Sequence, residues 1–159
     1  MIVSHRGTEA QRRGKQVLNF LRAFVPLCER IKKMTENEIG TIVVDTAVSL
    51  HRDLGPGLLE SVYETIMARL LEKKGFHVRR QIGIPIVFGG ERFDEGFRAD
   101  LIVENKIILE IKSVEKLHPV HSKQLLTYLK LTGMKLGYVL NFGEEVMKTG
   151  IKRIVNGYF

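Results

Sequence analysis

The stretch Phe97-Arg98-Ala99-Asp100-Leu101-Ile102-Val103-Glu104-Asn105-Lys106-Ile107-Ile108-Leu109-Glu110-Ile111-Lys112-Ser113 decides how this chain is read. Two apolar-rich runs, Phe97 to Val103 and Ile107 to Ser113, flank the polar turn Glu104-Asn105-Lys106, the pattern of a β-hairpin. Side chains alternate faces along a strand. One face then carries Ala99, Leu101, Val103, Ile107, Leu109 and Ile111, and the other Arg98, Asp100, Ile102, Ile108, Glu110 and Lys112. A three-residue loop pairs Ile102 with Ile108, Asp100 with Glu110 and Arg98 with Lys112. A two-residue loop would send the two carboxylates to opposite faces. The apolar pairings favour the three-residue loop, with Asn105 or Lys106 in the left-handed turn position. Like charges facing each other across strands repel, so such a pair is kept when both groups reach solvent or a cation sits between them. Hard oxygen ligands with no cysteine nearby suit Mg²⁺ or Mn²⁺ rather than zinc. Lys112 beside them can steady the charge that builds when a phosphodiester is attacked. The competing reading is a solvated Glu-x-Lys on an exposed strand. The aspartate at matching register and the apolar surroundings favour metal-dependent phosphodiester chemistry.

At 159 residues the chain has the length of about one domain, and 44% hydrophobic with 27% charged residues describes a soluble globular protein. No apolar run approaches the ~20 residues needed to span a membrane. The lone Cys28 excludes an intramolecular disulfide and a cysteine-rich metal site, and fits a reducing cytoplasm. The net charge of +7 invites a nucleic-acid partner, but its distribution is uneven. Residues 1–33 hold eight Lys/Arg against two Glu, and residues 34–159 hold seventeen Lys/Arg against sixteen Asp/Glu, so the body is nearly neutral at +1. Arg79-Arg80 and Lys73-Lys74 are candidate local basic patches or plain surface charge. Residues 1–33 form a basic extension in which Val17, Leu18, Leu21, Phe24 and Val25 line one side of a short helix interrupted by Pro26. Such a segment suits a transit peptide, a nucleic-acid arm, a membrane-surface helix or a loosely attached extension. Met34-Thr35-Glu36-Asn37-Glu38 resembles a fresh start, with capping-type Thr and Glu, and opens the main domain at 34–159.

Along that domain the spacing predicts helices over Ile39–Leu54 and about Leu58–Lys74, separated by Gly55-Pro56-Gly57 and ended by Gly75. Strands follow over His77–Gln81 and Ile82–Phe88, then a Gly89-Gly90 turn and a return from Glu91. After the 97–113 hairpin come a helix over about Val120–Thr132, stopped by Gly133, a strand over Leu136–Phe142, and a terminal helix or turn at Ile151–Val155. The class is mixed α/β.

Glu60 and Tyr63 lie three apart at the start of the second helix and share a face. Glu60 is either a helix-dipole carboxylate in the first turn or a third carboxylate of the metal site. Tyr63 is either core with a satisfied hydroxyl or a hydrogen-bonding support of the site, and Glu64 reads as solvated. Gln124 and Tyr128 lie four apart on the helix that follows Glu110 and Lys112. Gln124 is placed to orient an attacking water or a phosphate, or else faces solvent. His118 and His121 read as non-ligands because Pro119 stands between them, and His51 as structural. No glycine-rich phosphate loop and no Ser/His/Asp or Cys/His arrangement stands out.

Taken together, Gly55-Pro56-Gly57-Leu58-Leu59-Glu60, Phe93-Asp94-Glu95-Gly96-Phe97-Arg98-Ala99-Asp100, Glu110-Ile111-Lys112-Ser113-Val114 and Gln124-Leu125-Leu126-Thr127-Tyr128-Leu129 resemble the PD-(D/E)xK nuclease superfamily. More narrowly, Gly57, Glu60 and Tyr63 resemble the motif of the GxxExxY protein family, a branch of it. The resemblance covers about residues 35–157. It implies a restriction-endonuclease-like core, a mixed sheet flanked by helices in the order α-β-β-β-α-β. It implies Asp100, Glu110 and Lys112 as catalytic residues, with Glu60 and Gln124, and Mg²⁺ or Mn²⁺ held by Asp100, Glu110, the Ile111 carbonyl and, for a second ion, Glu60. Tyr63 and Tyr128 would support the site. Ala99 replaces the proline that precedes the aspartate in this pattern, a position that carries no chemistry. Two functions compete: a nuclease acting on DNA or RNA, favoured by the intact triad, and a catalytically silent module that binds nucleic acid or a protein, favoured by the nearly neutral body. A homodimer that builds its groove from two copies is a third arrangement.

Overall fold

In a computed structural model of the chain, residues 29–157 are described, except for the Glu95 side chain. The predicted helix around Val17 to Val25 and the lone Cys28 lie outside them. The chain divides into two units at Met34/Thr35. Of the first unit, residues 29–33 are helical and Met34 N–H donates to the Ile31 carbonyl at 3.0 Å.

The second unit opens on helix α1, Glu36–Leu54. Thr35 and Glu38 close a reciprocal capping box: the Glu38 N–H reaches the Thr35 hydroxyl, and the Glu38 carboxylate accepts from the Thr35 N–H at 2.7 Å. Those bonds hold the Glu38 carboxyl below its usual value. Helix α2, Glu60–Lys73, follows the Gly55-Pro56-Gly57 turn, where Gly57 at φ 107° takes a conformation closed to residues with a side chain. Then come β1 (Val78–Phe88), β2 (Glu91–Val103), β3 (Ile107–Lys112), α3 (Pro119–Thr132), β4 (Leu136–Asn141), a single turn α4 (Met147–Gly150) and β5 (Ile151–Val155).

The strands form one five-stranded sheet in the order β1-β2-β3-β4-β5, antiparallel except where α3 connects the parallel pair β3 and β4. Strand β4 is buried along its whole length and β3 along all but Lys112, as expected when helices cover both faces of a central parallel pair. On one face α3 packs Leu125, Tyr128 and Leu129 against Ile84, Ala99, Ile102, Ile108 and Val139. On the other, Gly40 of α1 lies so close against the Tyr138 ring that a β-carbon there would collide with its hydroxyl. Helix α2 touches β1, β2 and β3, and Tyr63 stacks on Phe142 with ring centroids 4.4 Å apart. The expected mixed α/β, restriction-endonuclease-like order α-β-β-β-α-β is present, with α1 before it and β5 after it.

Three sequence expectations are corrected. Ile151–Val155 is a strand, not a helix or turn: it pairs antiparallel with β4, and Arg153 donates to the Asn37 side chain at 2.9 Å. His77–Gln81 and Ile82–Phe88 are one strand, and the return strand is continuous from Glu91 into the hairpin. Its register shifts between Ile84 and Ile86, beside Pro85, which has no N–H to give the ladder. Strict alternation also fails in β2, because Ala99 and Ile102, three apart, join the same cluster under α3.

Candidate active site

The hairpin has the three-residue register: Val103 pairs with Ile107, Ile102 with Ile108 and Leu101 with Leu109. Glu104 and Asn105 take the left-handed conformation at φ 52° and 54°, and Lys106 N–H closes the turn on the Val103 carbonyl at 2.9 Å. Of the two residues expected in the left-handed position, Asn105 takes it, and Glu104 before it takes it as well. The β2–β3 ladder stops at Leu101, so Asp100 does not pair with Glu110 through backbone bonds. Its carboxylate instead takes the Ile111 N–H on Oδ2 at 2.8 Å and the Gln81 amide on Oδ1 at 3.3 Å.

Glu110 is 3% exposed. Its Oε1 accepts from Lys112 Nζ at 2.9 Å, while its buried Oε2 has no hydrogen-bond partner among the described residues. Burial, and then the neighbouring Asp100 charge, push its carboxyl from 4.5 up to about 7 against the pull of Lys112. Burial also raises Asp100, partly opposed by the Ile111 N–H and Lys112. For Lys112 burial works against the charge, but Glu110, Glu60 and Asp100 outweigh it and hold the ammonium above its ordinary value. An unpaired buried carboxylate oxygen costs several kcal/mol if it stays charged. The group is therefore set up either to keep a proton or to meet a cation.

Glu60 sits at the mouth of this arrangement, about half exposed, with Oε2 4.0 Å from Lys112 Nζ. Its Oε1 accepts from the Ser113 N–H at 3.1 Å, and Ser113 Oγ donates to the Leu58 carbonyl at 2.7 Å, which fastens the start of α2 to the end of β3. The Tyr63 hydroxyl donates to the Gly55 carbonyl at 2.6 Å and accepts from the Leu58 N–H at 3.3 Å. Of the two readings of Tyr63, the structure has core with a satisfied hydroxyl. Gly57, Glu60 and Tyr63 thus tie the turn, α2 and the end of β3 together.

A cleft of about 440 Å³ opens here, lined by Leu59, Glu60, Ser61, Glu64, Gln81, Asp100 and Ile111. Four of these, Leu59, Ser61, Glu64 and Gln81, were not singled out as site residues from the sequence. Glu64, expected to be solvated, is 5% exposed and holds Arg80 on Oε1 at 2.9 Å and Gln81 on Oε2 at 2.7 Å. Gln81 is the one non-glycine residue with positive φ (50°) that lies in a strand among the described residues. Such a conformation costs of order 1–3 kcal/mol. Glu64 stands one helical turn after Glu60, the only local sign of its position.

Gln124 donates its amide to the Tyr128 hydroxyl. Tyr128 is buried and packs on Phe97 at 5.1 Å. Burial raises its hydroxyl, and the charges of Glu110, Lys112 and Asp100 are all felt there, so this pair stands near the carboxylates without lining the cleft. His118 and His121 cap α3: Val120 N–H donates to His118 Nδ1 and His118 N–H to His121 Nδ1. Burial, then the Lys112 charge, keep the His121 imidazole below its usual value. His51 Nε2 donates to the Glu144 carbonyl at 2.8 Å, a structural bond.

The donor set fits a divalent hard cation. Two carboxylates converge, one with a buried unpaired oxygen. Among the described residues no group of three or more His, Cys, Asp or Glu side chains is placed to hold a metal ion. No helix among the described residues is long and apolar enough to cross a membrane.

The model of a family described as the PD-(D/E)XK nuclease superfamily covers residues 37–154. No curated protein matches the chain.

Proposed function

We propose that this chain, which belongs to the PD-(D/E)XK nuclease superfamily, is a Mg²⁺-dependent nuclease hydrolysing phosphodiester bonds of DNA or RNA, within the GxxExxY branch. The observation that carries this is the buried, unpaired Oε2 of Glu110 beside Asp100 and Lys112. Asp100 and Glu110, with the Ile111 carbonyl, would hold the ion, and Glu60 a second one. A divalent ion bound there acidifies a coordinated water and neutralises phosphate charge. Lys112, charged at neutral pH because three carboxylates surround it, supplies a fixed positive charge for the phosphorane-like transition state or positions the water. The Ile111 N–H bond fixes the Asp100 carboxylate, so reorganisation during reaction is small. Gln124, braced by Tyr128, would orient substrate phosphate or water.

The near-neutral charge of residues 34–159 favours a second reading, a silent nuclease-fold module that binds nucleic acid or a protein. Incubation of purified protein with mixed DNA and RNA and Mg²⁺ or Mn²⁺ separates the two. Cleavage by wild type, lost in Asp100→Ala and Lys112→Ala, supports the nuclease. Undiminished cleavage by either variant sinks the assignment.

A further inference from the structure

Neighbouring residues of a strand point to opposite faces, yet Arg80 and Gln81 both hold Glu64, at 2.9 and 2.7 Å. The backbone explains how. Gln81 is left-handed at φ 50°, while the pairs on either side, Arg80 with Leu101 and Ile82 with Ala99, keep one register. The distortion is therefore confined to a single residue and adds none to the ladder. Its result is that one amide nitrogen reaches both Glu64 Oε2 and Asp100 Oδ1. Glu64 is itself held: it is 5% exposed, and Arg80, its partner, donates a second bond to the Thr65 hydroxyl at 2.8 Å. A turn would explain a left-handed residue, as it does at Glu104 and Asn105. No turn exists at Gln81, which lies within β1.

We propose that Gln81 is a positioning residue for Asp100: the strand is distorted at Gln81 so that its carboxamide, anchored by the Glu64–Arg80 pair, fixes the Asp100 carboxylate for a divalent cation. Ile111 N–H holds Oδ2 and Gln81 holds Oδ1, which sets the carboxylate plane and leaves its remaining lone pairs for the ion. Partners that orient a metal ligand in this way contribute about 10–100-fold in metal affinity. The proposal rests on the metal-site reading of Asp100 and Glu110, and deepens it.

The test is calorimetric titration of Mn²⁺ into the full chain, wild type, Gln81→Gly and Gln81→Met, with thermal unfolding of the metal-free proteins alongside. Glycine accepts φ 50° without strain, so Gln81→Gly is expected to melt no lower than wild type while its Mn²⁺ dissociation constant rises at least tenfold. Gln81→Met keeps the side-chain length without the amide and is expected to lose the same affinity. A structural residue would change melting and leave affinity alone. Unchanged Mn²⁺ affinity in both folded variants, with tight binding by wild type, overturns this proposal and leaves the metal site standing. Absence of Mn²⁺ binding by wild type overturns both.

Discussion

Glu110→Gln tests whether burial at the site is electrostatically costly. Between its ordinary 4.5 and about 7 in the fold, the Glu110 carboxyl holds more proton in the native than in the unfolded chain. Its contribution to stability is therefore fully present below pH 4.5, falls as pH rises through that window, and is gone above about 7. A difference of roughly 2.5 units at 1.36 kcal/mol each comes to about 3 kcal/mol. Asp100, also raised, acts in the same direction. Lys112 does not contribute a slope there, since a raised ammonium loses its contribution only above its ordinary 10.5. The assay is urea unfolding of chelator-treated wild type and Glu110→Gln from pH 4.5 to 8. Titration of the remaining surface carboxylates is common to both and cancels in the difference. Wild-type stability is expected to fall relative to the variant by about 3 kcal/mol across the window, a shift of order 10 °C in melting. Saturating Mg²⁺ at pH 8 is expected to restore the wild type alone, by about 2.7 kcal/mol at a hundredfold excess over the dissociation constant. Two parallel pH curves would refute the claim that burial and the Asp100 charge raise the Glu110 carboxyl.

Four further outcomes follow from the packing and the site. Tyr63→Phe is expected to lose about 1–3 kcal/mol of stability, by freeing the Gly55 carbonyl and Leu58 N–H, with Mn²⁺ affinity retained; urea titration and calorimetry read the two. Asn141→Ala removes a fully buried amide that bonds the Val114 N–H, the Val114 carbonyl and the Gly143 N–H, at 3.0, 2.8 and 3.1 Å. A loss of about 2–4 kcal/mol on unfolding is expected, since buried backbone groups are left unpaired. Gly143→Ala would drive a β-carbon into the Val114 backbone and is expected to reduce soluble yield and melting temperature sharply. Lys112→Ala is expected to bind Mn²⁺ while losing at least a hundredfold in cleavage rate, read as single-turnover kinetics on labelled DNA and RNA.

The hairpin was legible because its information is local. Glu104-Asn105-Lys106 sits between apolar runs whose pairing is decided by one turn length, and the backbone takes that register. Helices with caps were legible for the same reason: Thr35 with Glu38 at one end of α1, and Gly133 at φ 71° after α3. What escaped depends on partners distant in sequence. Glu64 looks like any exposed glutamate on a helix until Arg80 and Gln81 arrive from a strand sixteen and seventeen residues on. Ile151–Val155 is five residues long, too short for its period to separate strand from helix, and its pairing with β4 decides the matter. The break in alternation between Ala99 and Ile102 was invisible because alternation is itself the assumption from which faces are read.

The most direct measurement is titration of Mn²⁺ into wild type and Asp100→Ala by calorimetry, followed by incubation of the same samples with mixed DNA and RNA. The account predicts saturable binding and metal-dependent cleavage by wild type, and neither by Asp100→Ala. Wild type that binds no Mn²⁺, or an Asp100→Ala variant that cleaves as well as wild type, would contradict it.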